Sequence, residues 1–255
     1  MFTPKGKFGW YEIMTSDPKS TGKFYSDVVG WTTQEMPSGD GPPYTTFNLG
    51  NVGIAGMLQM IGHTAWIGYI AVDDVDAHIE KIVEAGGKVW RPATDIPGML
   101  RFAVLSDPQG AAIVVFTPDP KMPSPQRPEP PTPGTIGWHE LYTTDLEGGF
   151  DFYNKLFGWT KVSDMDMGPM GVYRLFDEGD NKQMGDGGMM TKAPHIPVSC
   201  WNFYFNVDSI KAAIKRVESG GGKIANGPMQ VPGGSWIING QDPQGAMFSL
   251  VSSTE

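Results

Sequence analysis

Gly9-Trp10-Tyr11-Glu12-Ile13-Met14-Thr15-Ser16-Asp17 is matched further along by Gly137-Trp138-His139-Glu140-Leu141-Tyr142-Thr143-Thr144-Asp145. The offset is 138 − 10 = 128, and it also relates Phe24-Tyr25 to Phe152-Tyr153 and Gly30-Trp31 to Gly158-Trp159. A second set recurs at 201 − 66 = 135. It relates Trp66 to Trp201, Val72-Asp73 to Val207-Asp208, and Asp107-Pro108-Gln109-Gly110-Ala111 to Asp242-Pro243-Gln244-Gly245-Ala246. The chain is therefore a tandem repeat, with extra loop residues in the second copy between Gly158 and Trp201.

Each copy repeats again more faintly. Trp10, Trp66, Trp138 and Trp201 each stand seven residues before an Asp, at Asp17, Asp73, Asp145 and Asp208. Apolar strand-forming residues lie between, as in Ala65 to Val72. After the Asp comes a helical spacing: Val75, Ile79, Ile82 and Val83 form one apolar face, stopped by Gly86-Gly87. Three short strand-like runs follow each helix. In the first copy they are Trp31–Met36, Tyr44–Leu49 and Ile54–Met60, then Lys88–Arg91, Phe102–Leu105 and Ala112–Phe116. Asp-Pro-Gln-Gly supplies a tight turn before the last strand. The expected fold is α+β, with four βαβββ modules. A single module has one apolar sheet face and cannot bury it, so modules pair into two cup-shaped domains with helices outside.

Between the copies, eight prolines fall from Pro118 to Pro133. Proline donates no backbone N–H, so this stretch predicts an extended spacer. The expected domains are residues 1–117 and 136–255, joined by a Pro-rich linker over 118–135.

Asp+Glu 28 against Lys+Arg 19 gives a net charge of −9, which disfavours nucleic acid and anionic membranes as partners. With one cysteine, Cys200, no intramolecular disulfide and no CxxC motif is possible, and a small buried apolar role is expected for it. No apolar leader or membrane-spanning run is read, so a cytoplasmic location is the default expectation.

A βαβββ module with Asp at its strand–helix junction, then Phe-Tyr, Gly-Trp and an Asp-Pro-Gln-Gly hairpin, resembles the vicinal-oxygen-chelate (glyoxalase/bleomycin-resistance/extradiol dioxygenase) superfamily. The likeness covers nearly the whole chain outside the linker. The tandem form, with Pro97-Gly98, Arg101 to Leu105 and Asp107 to Ala111, resembles a bacterial glyoxalase-like or hydroxylase-like subgroup. The resemblance implies a divalent metal inside the cup, held from each module's first strand and from a last-strand Glu. Those positions fall here on Trp10, Trp66, Trp138, Trp201, Val114 and Ser249. Indole and aliphatic groups do not ligate metals and serine does so poorly, so no cofactor is expected, with a divalent metal as the alternative.

Strand alternation sets the candidate site. If Trp10 faces inward, so do Glu12 and Met14, and likewise Trp138, Glu140 and Tyr142. The partner modules are expected to add Trp66 and Gly68, and Trp201 and Phe203. Each cup would hold tryptophans beside one carboxylate, Glu12 or Glu140, acting as a hydrogen-bond acceptor or as a general base whose pKa burial raises. The bland alternative is core-filling tryptophans and structural carboxylate ion pairs. Arg101 could hold an anionic group at the cup mouth, or be an ordinary salt-bridged surface residue. At the matching offset the second copy has Trp236. His139 is out of the inward register, and the four histidines form no repeated set. The function expected is a superfamily protein that binds or transforms a small organic metabolite. The alternative is a non-catalytic, bleomycin-resistance-type sequestering protein. The tandem form supplies its own module pairing, so a monomer is expected, with a homodimer as the alternative.

Overall fold

A computed structural model of the chain describes residues 5–37, 43–122 and 126–255. Four βαβββ modules follow one another. The first runs β1 (Phe8–Thr15), α1 (Pro18–Val29), β2 (Thr32–Met36), β3 (Tyr44–Leu49) and β4 (Val52–Gln59). The second runs β5 (Ala65–Ala71), α2 (Val75–Glu84), β6 (Lys88–Ile96), β7 (Leu100–Ser106) and β8 (Ala112–Pro118). In the third are β9 (Ile136–Thr143), α3 (Leu146–Phe157), β10 (Thr160–Asp166), β11 (Val172–Asp177) and β12 (Gly187–Thr191). The fourth holds β13 (Cys200–Asn206), α4 (Ile210–Ser219), β14 (Lys223–Gln230), β15 (Trp236–Gln241) and β16 (Met247–Ser252).

The strands form two eight-stranded sheets, β2-β3-β4-β1-β5-β8-β7-β6 and β10-β11-β12-β9-β13-β16-β15-β14. In every module the first strand lies parallel to the last, and the remaining pairs within the module are antiparallel. Each helix opens on a side-chain cap. Asp17 accepts from the Ser20 N–H, Asp74 from Ala77, Asp145 from Gly148 and Ser209 from Ala212. Among the described residues no helix is long and apolar enough to cross a membrane.

The chain divides into two compact units. One joins the second and third modules, as Met1–Gly9, Ile67–Pro125 and His139–Trp201. The other joins the first and fourth, as Trp10–Trp66, Gln126–Trp138 and Asn202–Glu255.

In the unit of modules one and four, the core is aromatic. The Trp66 indole donates to the Tyr25 phenol at 2.8 Å, and Tyr25 donates to Asp242 at 3.3 Å. Trp31, Phe47, Phe205 and Phe248 surround Tyr25 with ring centroids 5.9–6.2 Å from its own. Asp242 also accepts the backbone N–H groups of Gln244 and Ala246, so one carboxylate ties the hairpin to the helix. The unit of modules two and three repeats this arrangement. Trp201 donates to Tyr153 at 2.9 Å and Tyr153 to Asp107 at 3.2 Å. Trp159 stacks flat on Phe176 with centroids 4.6 Å apart. Burial pushes both phenols and both aspartates up in pKa.

The proline stretch is not a bare spacer where it is described. Gly134 accepts the Trp31 indole N–H at 2.7 Å. Thr135 is buried and accepts from the Asn206 amide at 3.0 Å. Proline removes an N–H, but its neighbours keep carbonyls and side chains that can still dock. Pro123 and Pro125 lie outside the described residues.

Candidate functional site

The N-caps explain which tryptophans reach the candidate site. Trp10 and Trp138 stand seven residues before their caps, since 17 − 10 = 7 and 145 − 138 = 7. Trp66 and Trp201 stand eight before theirs, since 74 − 66 = 8 and 209 − 201 = 8. A one-residue shift turns a strand side chain to the other face. Trp66 and Trp201 accordingly point at the helices and bond Tyr25 and Tyr153. The expectation that they line a cup is corrected. Phe203 shares their face on β13; it is buried, with its ring 5.2 Å from that of Tyr11. Gly68, two residues from Trp66, turns with it. The residues facing the other way are Ile67 and Tyr69 on β5, and Asn202 and Tyr204 on β13.

Glu12 lies buried on β1 between half-buried Trp10 and Met14. Tyr44, from β3, bonds Glu12 and accepts the Trp10 indole N–H at 3.1 Å. Burial first, and then the Glu12 charge, push the Tyr44 phenol well up. Arg127, from the proline stretch, lies over the Trp10 ring at 5.4 Å. Its guanidinium pKa is lowered by burial.

Glu140 lies buried on β9, two residues from half-buried Trp138. It accepts from the Tyr173 phenol of β11 at 2.9 Å and from Tyr142 two residues along its own strand. The half-buried Cys200 is close enough for the Glu140 charge to act on it. Burial first, and then that charge, raise its thiol to about 11, so it is an unreactive thiol at neutral pH.

Glycine makes both carboxylate–phenol pairs possible. Gly56 is the register partner of Glu12, and Gly188 that of Glu140. A Cβ at Gly56 would overlap the Tyr44 hydroxyl, and one at Gly188 would overlap the Tyr173 ring. The missing side chain lets each tyrosine lie across the strand and reach the carboxylate beyond it. Tyr44, Tyr173, Gly56, Gly188 and Arg127 were not singled out from the sequence. The signal was present: Tyr173 follows Tyr44 by 129 and Gly188 follows Gly56 by 132, close to the 128 of the first-strand repeat.

Arg101 does not stand open to an anionic ligand. It bonds Asp76 through Nε and Nη2 at 2.8 and 2.9 Å, and both oxygens of Asp95 at 3.0 Å. His139 faces the core, its ring 4.4 Å from that of Phe8 and its Nδ1 3.1 Å from Glu178.

The superfamily model described as Glyoxalase/Bleomycin resistance protein/Dioxygenase matches residues 7–115 and 135–250. The chain belongs to this superfamily. A Mycobacterium tuberculosis protein that carries a glyoxylase name, CFP32, is 32% identical over 97% of this chain and 95% of its own. The anthracycline biosynthesis protein DnrV of Streptomyces peucetius is 29% identical over 100% of this chain and 95% of its own. Among solved structures, the Mn(II)-bound glyoxalase from Novosphingobium aromaticivorans aligns with a TM-score of 0.69 at 16% identity, covering 98% of this chain and 83% of that one. The 2,3-dioxygenase LapB from Pseudomonas sp. KL28 aligns at 0.67 and 13%, covering 100% and 94%. At those identities the structural likeness concerns the fold.

The donor set does not fit the superfamily metal. Counted seven residues back from the caps, as Trp10 and Trp138 are, the first-strand positions of the second and fourth modules fall on Ile67 and Asn202 rather than on Trp66 and Trp201. Trp10, Trp138, Ile67 and Val114 have no ligating atom, and Asn202 offers only a neutral amide. Ser249 is occupied by two amides, from Asn202 and Asn239. Among the described residues no three His, Cys, Asp or Glu side chains converge as a metal site would require.

Proposed function

We propose that this protein captures a small planar organic molecule bearing hydroxyl groups, on the strand faces that carry Glu12 and Glu140. The carrying observation is that one device is built twice. In each copy a first-strand Glu stands opposite a glycine, and a tyrosine crosses that glycine to bond the carboxylate. A carboxylate held this way accepts a ligand O–H once a phenol yields its place. Half-buried Trp10 and Trp138, beside the carboxylates, offer flat apolar surface to a ring.

The relatives named for anthracycline biosynthesis support a planar, hydroxylated ligand class, since they match over the full length of this chain. Capture is favoured over turnover by a specific observation. Both oxygens of Glu140 already accept phenol protons, so it is not poised as a lone base. The test is a titration of tryptophan fluorescence with a hydroxyanthraquinone. Saturable quenching that Trp10→Phe or Trp138→Phe diminishes supports the reading; quenching lost only with Trp66→Phe or Trp201→Phe contradicts it.

A further inference from the structure

We infer that Asn202, Ser249, Asn239 and Tyr204 form a second recognition site, for one uncharged hydroxyl or primary-amide group of a small molecule. The site belongs to the fourth module and does not depend on the Glu12 or Glu140 reading.

The four side chains converge from three strands. Tyr204 and Asn239 are both register partners of Ser249, and Asn202 is two residues from Tyr204 on β13. The Ser249 hydroxyl accepts from the Asn202 amide at 2.7 Å and from the Asn239 amide at 2.7 Å. Asn239 also donates to Tyr204 at 3.3 Å. Asn202 is 2% exposed and Ser249 is fully buried. Asn239 is half-buried.

The set leaves a buried acceptor over. The Asn202 Oδ1 is buried and accepts from no group among the described residues. Turning that amide over does not remove the problem. Oδ1 would then take the Ser249 proton, and Nδ2 would be left without an acceptor. Buried polar groups are almost always partnered, by ordered water or by a polar group of a ligand, and a ligand hydroxyl or amide would take the place of such a water. An amide that serves either way round suits a group that both donates and accepts, which a hydroxyl or a primary amide does.

The second module is an internal control. Subtracting 135 from 202, 204, 239 and 249 gives Ile67, Tyr69, Val104 and Val114. These occupy the same register, with Val114 paired to Tyr69 and to Val104. There the fold keeps the tyrosine and fills the other three places with aliphatic groups, so the Asn202, Asn239 and Ser249 polar set is not a requirement of the architecture. No formal charge lies within the set, so neither a divalent cation nor a carboxylate would find compensation there.

The test follows the side-chain amide signals of Asn202 and Asn239 in ¹⁵N-labelled full chain. The probes are benzyl alcohol, benzamide, benzoate and manganese chloride. The expected result is a saturable shift of the Asn202 signal with benzyl alcohol or benzamide, at about tenfold lower concentration than with benzoate. The variant Asn202→Ile/Asn239→Val/Ser249→Val, which copies the second module, should lose this binding at unchanged fold. No shift with either neutral probe in the wild-type chain, or a long-lived water that neither displaces, would overturn the site. So would paramagnetic broadening centred on Asn202 at low manganese. Because Glu12 and Glu140 are intact throughout, failure here leaves the hydroxyanthraquinone titration to be judged separately.

Discussion

Tyr25 and Asp242, 217 residues apart in the chain, meet at 3.3 Å, and Tyr25 also receives the Trp66 indole N–H. The equivalent Tyr153 and Asp107 meet at 3.2 Å under Trp201. Each relay ties a first-strand indole to a helix and the helix to a hairpin turn. Removing the phenol leaves a buried donor and a buried acceptor without partners. Tyr25→Phe and Tyr153→Phe should each lower unfolding stability by about 1–3 kcal/mol. A double-mutant cycle of Tyr25→Phe with Trp66→Phe, measured by urea unfolding, should show coupling of about 0.5–3 kcal/mol. Strict additivity would mean the bond carries nothing.

Gly188→Ala should act on the candidate site through Tyr173. The added Cβ would overlap the phenol ring, so the ring must leave Glu140. Overpacking of this kind typically costs about 1–3 kcal/mol. The expected outcome is a melting temperature below wild type together with altered hydroxyanthraquinone affinity. A crystal structure of the variant should show Tyr173 displaced; a ring in its original place would refute the account of the glycine.

Acid should weaken the third module through Arg174. That guanidinium bonds Asp164 and Glu147, and hydrogen bonds from it hold both carboxyls below their ordinary range, Asp164 at about 2. A depressed folded-state pKa gives stability that is present above the unfolded value, and that stability is lost as pH falls through the folded value. Denaturant unfolding should therefore show a loss between about pH 4 and pH 2 that Asp164→Asn flattens. An equally steep acid limb in the variant would assign the loss elsewhere.

Metal should be irrelevant to ligand capture. Trp10 and Trp138 are indoles with no ligating atom, and the Ser249 position is held by amides. Hydroxyanthraquinone affinity should be the same after exhaustive chelation and with added manganese, as read by fluorescence after correction for metal binding to the dye itself. Restoration of lost affinity by a metal would overturn the donor-set argument.

The modules were legible because their markers carry structural duties. Asp17 and Asp145 cap helices, Gly30 and Gly158 end them in the left-handed conformation, and Asp107 and Asp242 organise hairpins. The side-chain register of β1 and β9 followed from alternation alone. That of β5 and β13 did not, because Asp73 and Asp208 look like caps while Asp74 and Ser209 do the capping. One residue of slip there inverts the face, which turned Trp66, Trp201 and Phe203 the wrong way. The phenols on Glu12 and Glu140 come from strands distant in sequence, and Arg127 sits in a stretch dominated by proline. Pattern within a strand cannot reveal such cross-strand partners.

The decisive measurement is the hydroxyanthraquinone titration of Glu12→Gln, Glu140→Gln and the double variant against wild type. Glutamine keeps the shape and removes the anionic acceptor. The expected result is a loss of about tenfold or more in affinity in at least one single variant and a further loss in the double, as for a charge-assisted hydrogen bond of about 1.5–3 kcal/mol. Wild-type affinity in all three variants, with the fold intact, would contradict the assignment of ligand capture to these carboxylates.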